Sequence, residues 1–359
     1  MIYYQEKDIT IINGGCLTEL KKLPPESINC AITSPPYWAL RDYGTATWEG
    51  GKEDCGHIEP SGSIKFAGRD TQAHTKRQYK DICKKCGAKR IDLQLGLEPT
   101  FQEYVAKLCD IFDEVKRVLR KDGTIWVNMG DTYLAQQGKG FPGTGQVNIP
   151  DRDKNAVLNI KRPRSIPQKC LAQIPSRFSI EMCNRGWILR NTLIWHKPNC
   201  MPSSVKDRFT VDFEYVFFFV KNKKYWFDTQ FEEHTSTRWG GTSDSKCKEG
   251  KYALPNYKKG VRSHKHDYPK QGRNKRCVWK ITTKPFKEAH FAVFPEKLVD
   301  TPIKAGCPTD GTVLDPFCGS GTTGVVAKKL NRKFVGIELN QNYCEIAKKR
   351  TQGITPSLF

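Results

Sequence analysis

Acidic residues are scarce in this 359-residue chain: 38 Asp and Glu face 59 Lys and Arg, a formal net charge of +21. Long apolar runs are missing as well. The longest, Val216-Phe217-Phe218-Phe219-Val220, falls far short of the ~20 residues that cross a bilayer. The first eight residues carry acids and lack the charged-then-apolar layout of an export signal. These absences predict an intracellular, cytoplasmic protein with no membrane partner. Disorder is excluded by a hydrophobic content of 38% with 8 Trp, 13 Tyr and 18 Phe, enough apolar mass to bury a core. No internal repeat is present. Fourteen cysteines in a long chain, most of them scattered singly, read as reduced, buried small residues rather than a disulfide framework. The length suits about two domains, or one large core carrying insertions.

The positive charge is concentrated. Between His234 and Lys287 stand 15 Lys and Arg against Asp244, Glu249 and Asp267. More than half of the net charge thus lies in a short segment, a pattern that suits a polyanion partner, although a solvated basic loop has the same composition.

Along the chain, the pattern is α/β. Residues 8–13 and Ile28–Thr33 read as strands with a short helical turn between them. The second strand runs into Ser34-Pro35-Pro36-Tyr37-Trp38, and consecutive prolines cannot continue a ladder, so this is a loop at a strand's carboxyl end. Residues 43–90 hold no periodicity and read as an inserted loop or small module. Thr100 and Glu103 form a capping box for a helix whose apolar residues run from Phe101 to Leu119, with Gly123 as its stop and residues 124–128 as the next strand. The Gly-rich, basic stretch 134–170 reads as a mobile loop. A helix over 175–186 and strands over 187–195 and 215–221 follow, and the α/β pattern resumes after the basic segment.

Two segments carry chemistry. In the first, a buried strand ends in Asp315, followed by Pro316-Phe317-Cys318-Gly319-Ser320-Gly321-Thr322-Thr323-Gly324 and a helix over 322–330; the next strand ends in Glu338. The glycines allow close approach of backbone to a ligand, and an acid at the second strand's end suits ribose hydroxyls. A carboxylate at Asp315 would repel a pyrophosphate but favours a cationic ligand. S-adenosylmethionine fits: it has a sulfonium, an amino group and a ribose, and no phosphate. The second segment is Ser34–Tyr37. The lone pair of an exocyclic amine is delocalised into its base, so acceptors aimed at its N–H groups are needed to make it reactive. The Ser34 hydroxyl and the Pro35 carbonyl, held rigidly by Pro36, can supply them. Tyr37 offers a ring on which an extruded base can stack.

Together these segments resemble the amino-type DNA methyltransferases, whose catalytic motif reads (D/N/S)-P-P-(Y/F/W) and whose cofactor motif reads D-P-F-x-G-x-G-T. The order, catalytic motif first and cofactor motif last with a basic region between, is similar to the permuted beta class. The resemblance covers nearly the whole chain, including His196-Lys197-Pro198 and the segment around Phe294, which is similar to the motif closing over the cofactor's methionine end. It implies a Rossmann-like sheet with helices on both faces. Ser34, Pro35, Pro36 and Tyr37 would then form the catalytic loop. Asp315, Phe317, Gly319, Ser320, Gly321, Thr322, Glu338 and Phe294 would form the cofactor site, with Thr322 near the carboxylate and Glu338 on the ribose. Many relatives carry Gly-Asp after the first strand; Gly14-Gly15-Cys16 here offers no carboxylate, leaving adenine recognition to backbone or Asn13. The implied partner is double-stranded DNA, and the implied setting restriction–modification in a prokaryote or phage, with a cognate endonuclease.

The resemblance divides the chain into residues 1–42 and 93–227 as catalytic domain, 43–92 as the insert, 228–283 as the target-recognition region and 284–359 as the cofactor-binding part. In the family it resembles, Ser before the two prolines goes mostly with cytosine N4 and Asp or Asn with adenine N6, so the resemblance implies cytosine N4 as target, with adenine N6 as the alternative. Cytosine C5 chemistry needs a nucleophilic thiol, usually after a proline, and no cysteine here follows one. Within the insert, Cys55-Gly-His57 and Cys83-Lys-Lys-Cys86 have the spacing of a structural zinc site, with His74 able to replace His57. Two further readings stay open at this level: a nucleotide-dependent oxidoreductase, which leaves Ser34–Trp38 unexplained, and a non-catalytic zinc-bearing DNA-binding protein, which leaves Asp315 and Glu338 unexplained. Arg238, Trp239, Arg262, Arg273 and Arg276 are candidates for base or phosphate contacts.

Overall fold

The computed structural model describes residues 1–38, 43–52, 54–57, 79, 81–134, 166–167, 169–233, 272–284 and 293–354. In chain order the elements are β1 (Ile2–Gln5), β2 (Ile9–Asn13), α1 (Cys16–Leu20), β3 (Ile28–Thr33), β4 (Thr47–Glu49), β5 (Lys89–Ile91), α2 (Phe101–Val118), β6 (Leu119–Met129), α3 (Ile174–Asn184) and β7 (Ile188–His196). They continue with β8 (Phe213–Val220), β9 (Phe231–Glu232), β10 (Arg273–Asn274), β11 (Val278–Lys280), α4 (Glu296–Gly306), β12 (Thr312–Asp315), α5 (Thr322–Lys329), β13 (Lys333–Glu338) and α6 (Gln341–Gln352). Most of the Gly-rich stretch 134–170 and most of the basic region 228–283 lie outside the described residues, as do His74, Arg238, Trp239 and Arg262.

Among the described residues, nine strands form one sheet in the order β1-β2-β13-β12-β3-β6-β8-β7-β11. From β2 to β6 every neighbour is parallel, while β8 runs antiparallel to both β6 and β7. Helices cover both faces. Period-two alternation decides which side chain goes where. Ala31, Ile125, Phe217 and Phe219 face α2 and α3, joining Leu108, Phe112 and Phe178 in one core. Their chain neighbours Cys30, Trp126 and Phe218 face the opposite side, joining Leu298, Ile303 and Val326 from α4 and α5. The three consecutive phenylalanines are thus shared between two cores, and Trp126 stacks on Phe218 at a centroid distance of 4.0 Å.

One boundary differs from the sequence reading. The capping box holds, with Thr100 Oγ1 accepting from Glu103 N at 3.2 Å, but α2 ends at Val118 and the chain is extended from Leu119. Gly123 is therefore inside β6, not a helix stop. It is there for space: a Cβ would lie 2.6 Å from Leu119 Cγ and 3.0 Å from the Asn29 carbonyl.

The topology places the site. The β12-α5-β13 crossover moves away from the sheet centre in one direction and β3-α2-β6 in the other. Adjacent β12 and β3 therefore open a crevice at their carboxyl ends, where open α/β sheets bind ligands. Those ends are Asp315 and Thr33, and the loops leaving them are the two segments singled out above. Among the described residues no helix is long and apolar enough to cross a membrane.

Candidate active site

The two loops meet through a buried hydrogen bond: Thr33 Oγ1 donates to Asp315 Oδ1 at 2.6 Å. Thr323 Oγ1 donates to Asp315 Oδ2 at 2.6 Å, and Phe317 N donates to Oδ1 at 3.1 Å. Asp315 is 1% exposed. Burial pushes its carboxyl up to about 6, with the three donors opposing that rise. The residue acts as a staple across the crevice floor and does not itself line the cleft.

Above it lies a cleft of about 1220 Å³, larger than the about 300–1,000 Å³ usual for one small ligand. Ser34, Pro35, Pro36, Tyr37, Phe294, Phe317, Gly319, Ser320, Thr322 and Glu338 all line it. Gly321 does not, for a structural reason: its φ of +78° turns the chain into α5, and a Cβ there would lie 2.8 Å from Ala347 Cβ. Glu338 closes the far side of the glycine-rich turn. Its Oε2 accepts from Gly319 N and its Oε1 from Asn340 N, both at 2.8 Å. Burial raises its carboxyl to about 7, and the nearby Asp315 charge adds to the rise. Arg350 of α6 secures the same turn by donating to the Ser320 carbonyl at 2.7 Å and to Thr322 Oγ1 at 3.0 Å.

Gly14, Gly15 and Cys16 also line the cleft. The Asn13 amide is committed elsewhere, donating at 3.0 Å to the carbonyls of Glu338 and Leu339. It is thus a tie between β2 and β13. Cys16 and Cys318 are cleft residues whose thiols burial holds well above their ordinary range, so neither is an activated nucleophile.

The Ser34–Tyr37 loop is braced from several elements. Tyr104 of α2 donates to the Pro36 carbonyl at 3.0 Å, and Trp38 Nε1 donates to the Glu98 carbonyl at 2.9 Å. The Pro35 carbonyl takes no hydrogen bond from any described residue, and Pro35 lines the cleft. Ser34 Oγ donates to the Tyr37 hydroxyl at 3.3 Å, which donates to Glu214 Oε2 at 2.7 Å. The same oxygen accepts from Asn128 Nδ2 at 3.0 Å, and the other pairs with Lys197. Burial and the Glu214 charge keep the Tyr37 phenol well above its ordinary pKa, hence protonated.

Asn128 and Glu214 were not visible as site residues in the sequence. Glu214 had one signal: it is the acid within the apolar run Phe213–Val220 of β8. Lys197 was noted only as part of the resemblance. Two other expectations meet internal partners, since Arg273 and Arg276 both pair with Glu232, at 2.9 and 2.6 Å.

In the insert, Cys55, His57, Cys83 and Cys86 converge, with all ligand atoms within 4.8 Å of one another. They lie on the chain between β4 and β5, which pair antiparallel with Trp48 opposite Arg90.

The fold and site define a doubly wound α/β protein in which a Ser-Pro-Pro-Tyr loop and a glycine-rich turn line one cleft at the carboxyl ends of β3 and β12. Comparison with known proteins gives the family. Residues 28–349 match the DNA methylase family of N6 and N4 methyltransferases, and the chain belongs to it. The chain is 35% identical over 347 residues to the type II methyltransferase M.Cfr9I of Citrobacter freundii, covering 96% of this chain and 88% of that protein. It is 33% identical to M.SmaI of Serratia marcescens, covering 95% and 89%. Among solved structures, the cytosine-N4-specific PvuII DNA methyltransferase superposes with a TM-score of 0.56 at 18% identity, covering 99% of this chain and 90% of that one. The fold is thus that of DNA methyltransferases.

Proposed function

We propose that the protein methylates the exocyclic N4 of a cytosine extruded from a specific sequence in double-stranded DNA, with S-adenosylmethionine as methyl donor, as the modification enzyme of a restriction–modification pair. The observation that carries this reading is the Ser34–Pro35 acceptor pair, which faces the same cleft as the glycine-rich turn and Glu338. Support also comes from the relatives, which are type II methyltransferases. A structure of similar fold, described as a DNA modification methylase of Thermus thermophilus, is complexed with S-adenosyl-L-methionine (TM-score 0.51, 18% identity).

The residues fit that donor. Two acids, Asp315 and Glu338, sit under and beside the cleft and favour a cation there. The donor supplies an electrophilic methyl on a positively charged sulfur. The protein's part is to hold the amine. Because the Ser34 hydroxyl hydrogen points to Tyr37, its lone pairs remain for one N–H of the amine, and the Pro35 carbonyl takes the other. Held this way, the nitrogen lone pair leaves conjugation and points at the methyl carbon for direct transfer. The C–S electron pair stays with sulfur, and the nitrogen sheds one proton to water or to Ser34, which then passes its own hydrogen on to Tyr37 as Tyr37 passes its hydrogen to Glu214. No cysteine takes part, so no covalent enzyme–base intermediate forms. Tyr37, anchored by Glu214, supplies the face on which the base rests.

The test is product analysis. Unmethylated DNA incubated with protein and S-adenosylmethionine, then digested to nucleosides, should yield N4-methylcytosine by mass spectrometry, with product falling at least about 100-fold in Ser34→Ala. N6-methyladenine instead would keep the machinery and overturn the assignment of the base.

A further inference from the structure

The insert between the catalytic loop and α2 has too little apolar material to fold alone. Among its described residues the buried cluster consists of Tyr79, Cys83 and Ala88, with Trp48, Cys55 and Cys86 packed against it. What it has instead is a set of soft ligands. Cys55 Sγ lies 3.6 Å from Cys83 Sγ, and Cys86 Sγ lies 3.5 Å from His57 Nδ1. A tetrahedral zinc with bonds of about 2.3 Å to sulfur sets its ligand atoms roughly 3.8 Å apart, close to both separations. Backbone geometry agrees: Cys83 N donates to the Ala88 carbonyl and Gly87 N to the Cys83 carbonyl, both at 2.8 Å, wrapping the second ligand pair around a common point. The ligands come from two stretches on either side of residues 58–78, so a metal would join what sequence separates.

The module is also part of the cleft wall. Tyr43 and Thr45, which lead into β4, and Asp92–Leu95, which leave β5, all line the cleft. Tyr43 N donates to Gln94 Oε1 at 2.7 Å, tying the two arms together. The Tyr43 ring meets Tyr343 of α6 edge-on at 6.2 Å. Leu93 lies across from Gly15, 3.4 Å from where a Cβ would stand.

We propose that Cys55, His57, Cys83 and Cys86 hold one zinc ion in a closed structural site, and that this metal fixes the β4–β5 pair as one wall of the cofactor cleft, so that zinc and cofactor binding are linked. Four protein ligands leave no open position, so the metal is structural and takes no part in methyl transfer. Three thiolates and an imidazole in a tetrahedral array select zinc over harder cations. The linkage rests on the function proposed above; the metal site does not.

Full-length protein purified without chelators should contain one zinc per chain by plasma mass spectrometry. Cys83→Ser and Cys86→Ser should lose it, while Cys183→Ser, at an exposed thiol, should keep it. Cobalt titrated into chelator-stripped wild-type protein should give the visible d–d bands of a tetrahedral thiolate site, a readout that survives if the cysteine variants do not fold. By calorimetry, stripping the zinc should weaken S-adenosylmethionine binding about 10-fold, and restoring zinc should recover it. Absence of zinc together with absence of a tetrahedral cobalt spectrum overturns the site. Zinc present with unchanged cofactor affinity on stripping overturns the linkage. If zinc-loaded protein binds no S-adenosylmethionine at all, the linkage falls with the functional reading, while the zinc stoichiometry still decides the site.

Discussion

Glu214 spends both carboxylate oxygens on the site: one accepts from Tyr37 and Asn128, the other pairs with Lys197. Lys197 is held in turn over the Trp195 ring, 4.4 Å from its centroid. The carboxylate thus decides where the Tyr37 hydroxyl points, and through it where the Ser34 hydrogen points. Glu214→Gln keeps the shape but loses the ion pair and one of its two acceptors. Its turnover should fall by roughly 10–100-fold, since small misplacements of a reacting group carry costs of that order. Cofactor affinity should stay within about 3-fold, because the side-chain partners of Glu214 are Tyr37, Asn128 and Lys197, none of them in the glycine-rich turn. Equilibrium binding and single-turnover rates measured on the same preparation separate the two. An equal loss in cofactor affinity would place Glu214 in the cofactor site instead.

At the scale of the element, the glycine-rich turn works through packing as much as through ligand approach. Gly324 sits on α5 where a Cβ would lie 2.7 Å from Phe334 Cδ1 and 3.2 Å from Thr351 Cγ2. Phe334 belongs to β13 and is 1% exposed. It has no room to yield. Gly324→Ala should therefore destabilise the protein by roughly 1–3 kcal/mol, the usual cost of overpacking a core, measurable by chemical denaturation. Methyl transfer by the fraction that remains folded should change little, because Gly324 does not line the cleft. In the sequence the glycines read as room for a ligand to approach the backbone; in the fold one of them, Gly324, serves helix–strand contact.

For the whole molecule, Asp315 and Glu338 together set a dependence on pH. Burial raises the first to about 6 and the second to about 7, well above their unfolded values. A folded state that holds protons more tightly than the unfolded chain loses stability as pH rises through that window. The ligand-free protein should thus lose stability between about pH 4.5 and about pH 7. Below that window the surface acids held low by partners, such as Glu181 beside Arg185, become protonated and remove stability in their turn. A cationic cofactor favours both carboxylates ionised, so the rise in Tm on adding S-adenosylmethionine should be larger near pH 7.5 than near pH 5.5. Glu338→Gln should flatten the difference. Equal shifts at both pH values in the wild type would mean that neither carboxylate senses the ligand.

The apolar runs of β3, β6 and β8, the capping box of α2 and the strand–turn–helix around Asp315 are local patterns, and the sequence alone settled them. Family membership was legible for the same reason, since both motifs are contiguous. Contacts between distant segments were not. Thr33 and Asp315 stand 282 positions apart, and Tyr37 and Glu214 stand 177 apart. No local periodicity records that β12 inserts beside β3, or that an acid at the start of an apolar strand will meet a tyrosine in the loop after another. The sequence placed Asp315 next to a ligand because a carboxylate before a glycine turn favours a cation. The tertiary structure set it beneath the cleft, because Thr33, Thr323 and a backbone N–H together satisfy a charge that burial would otherwise penalise.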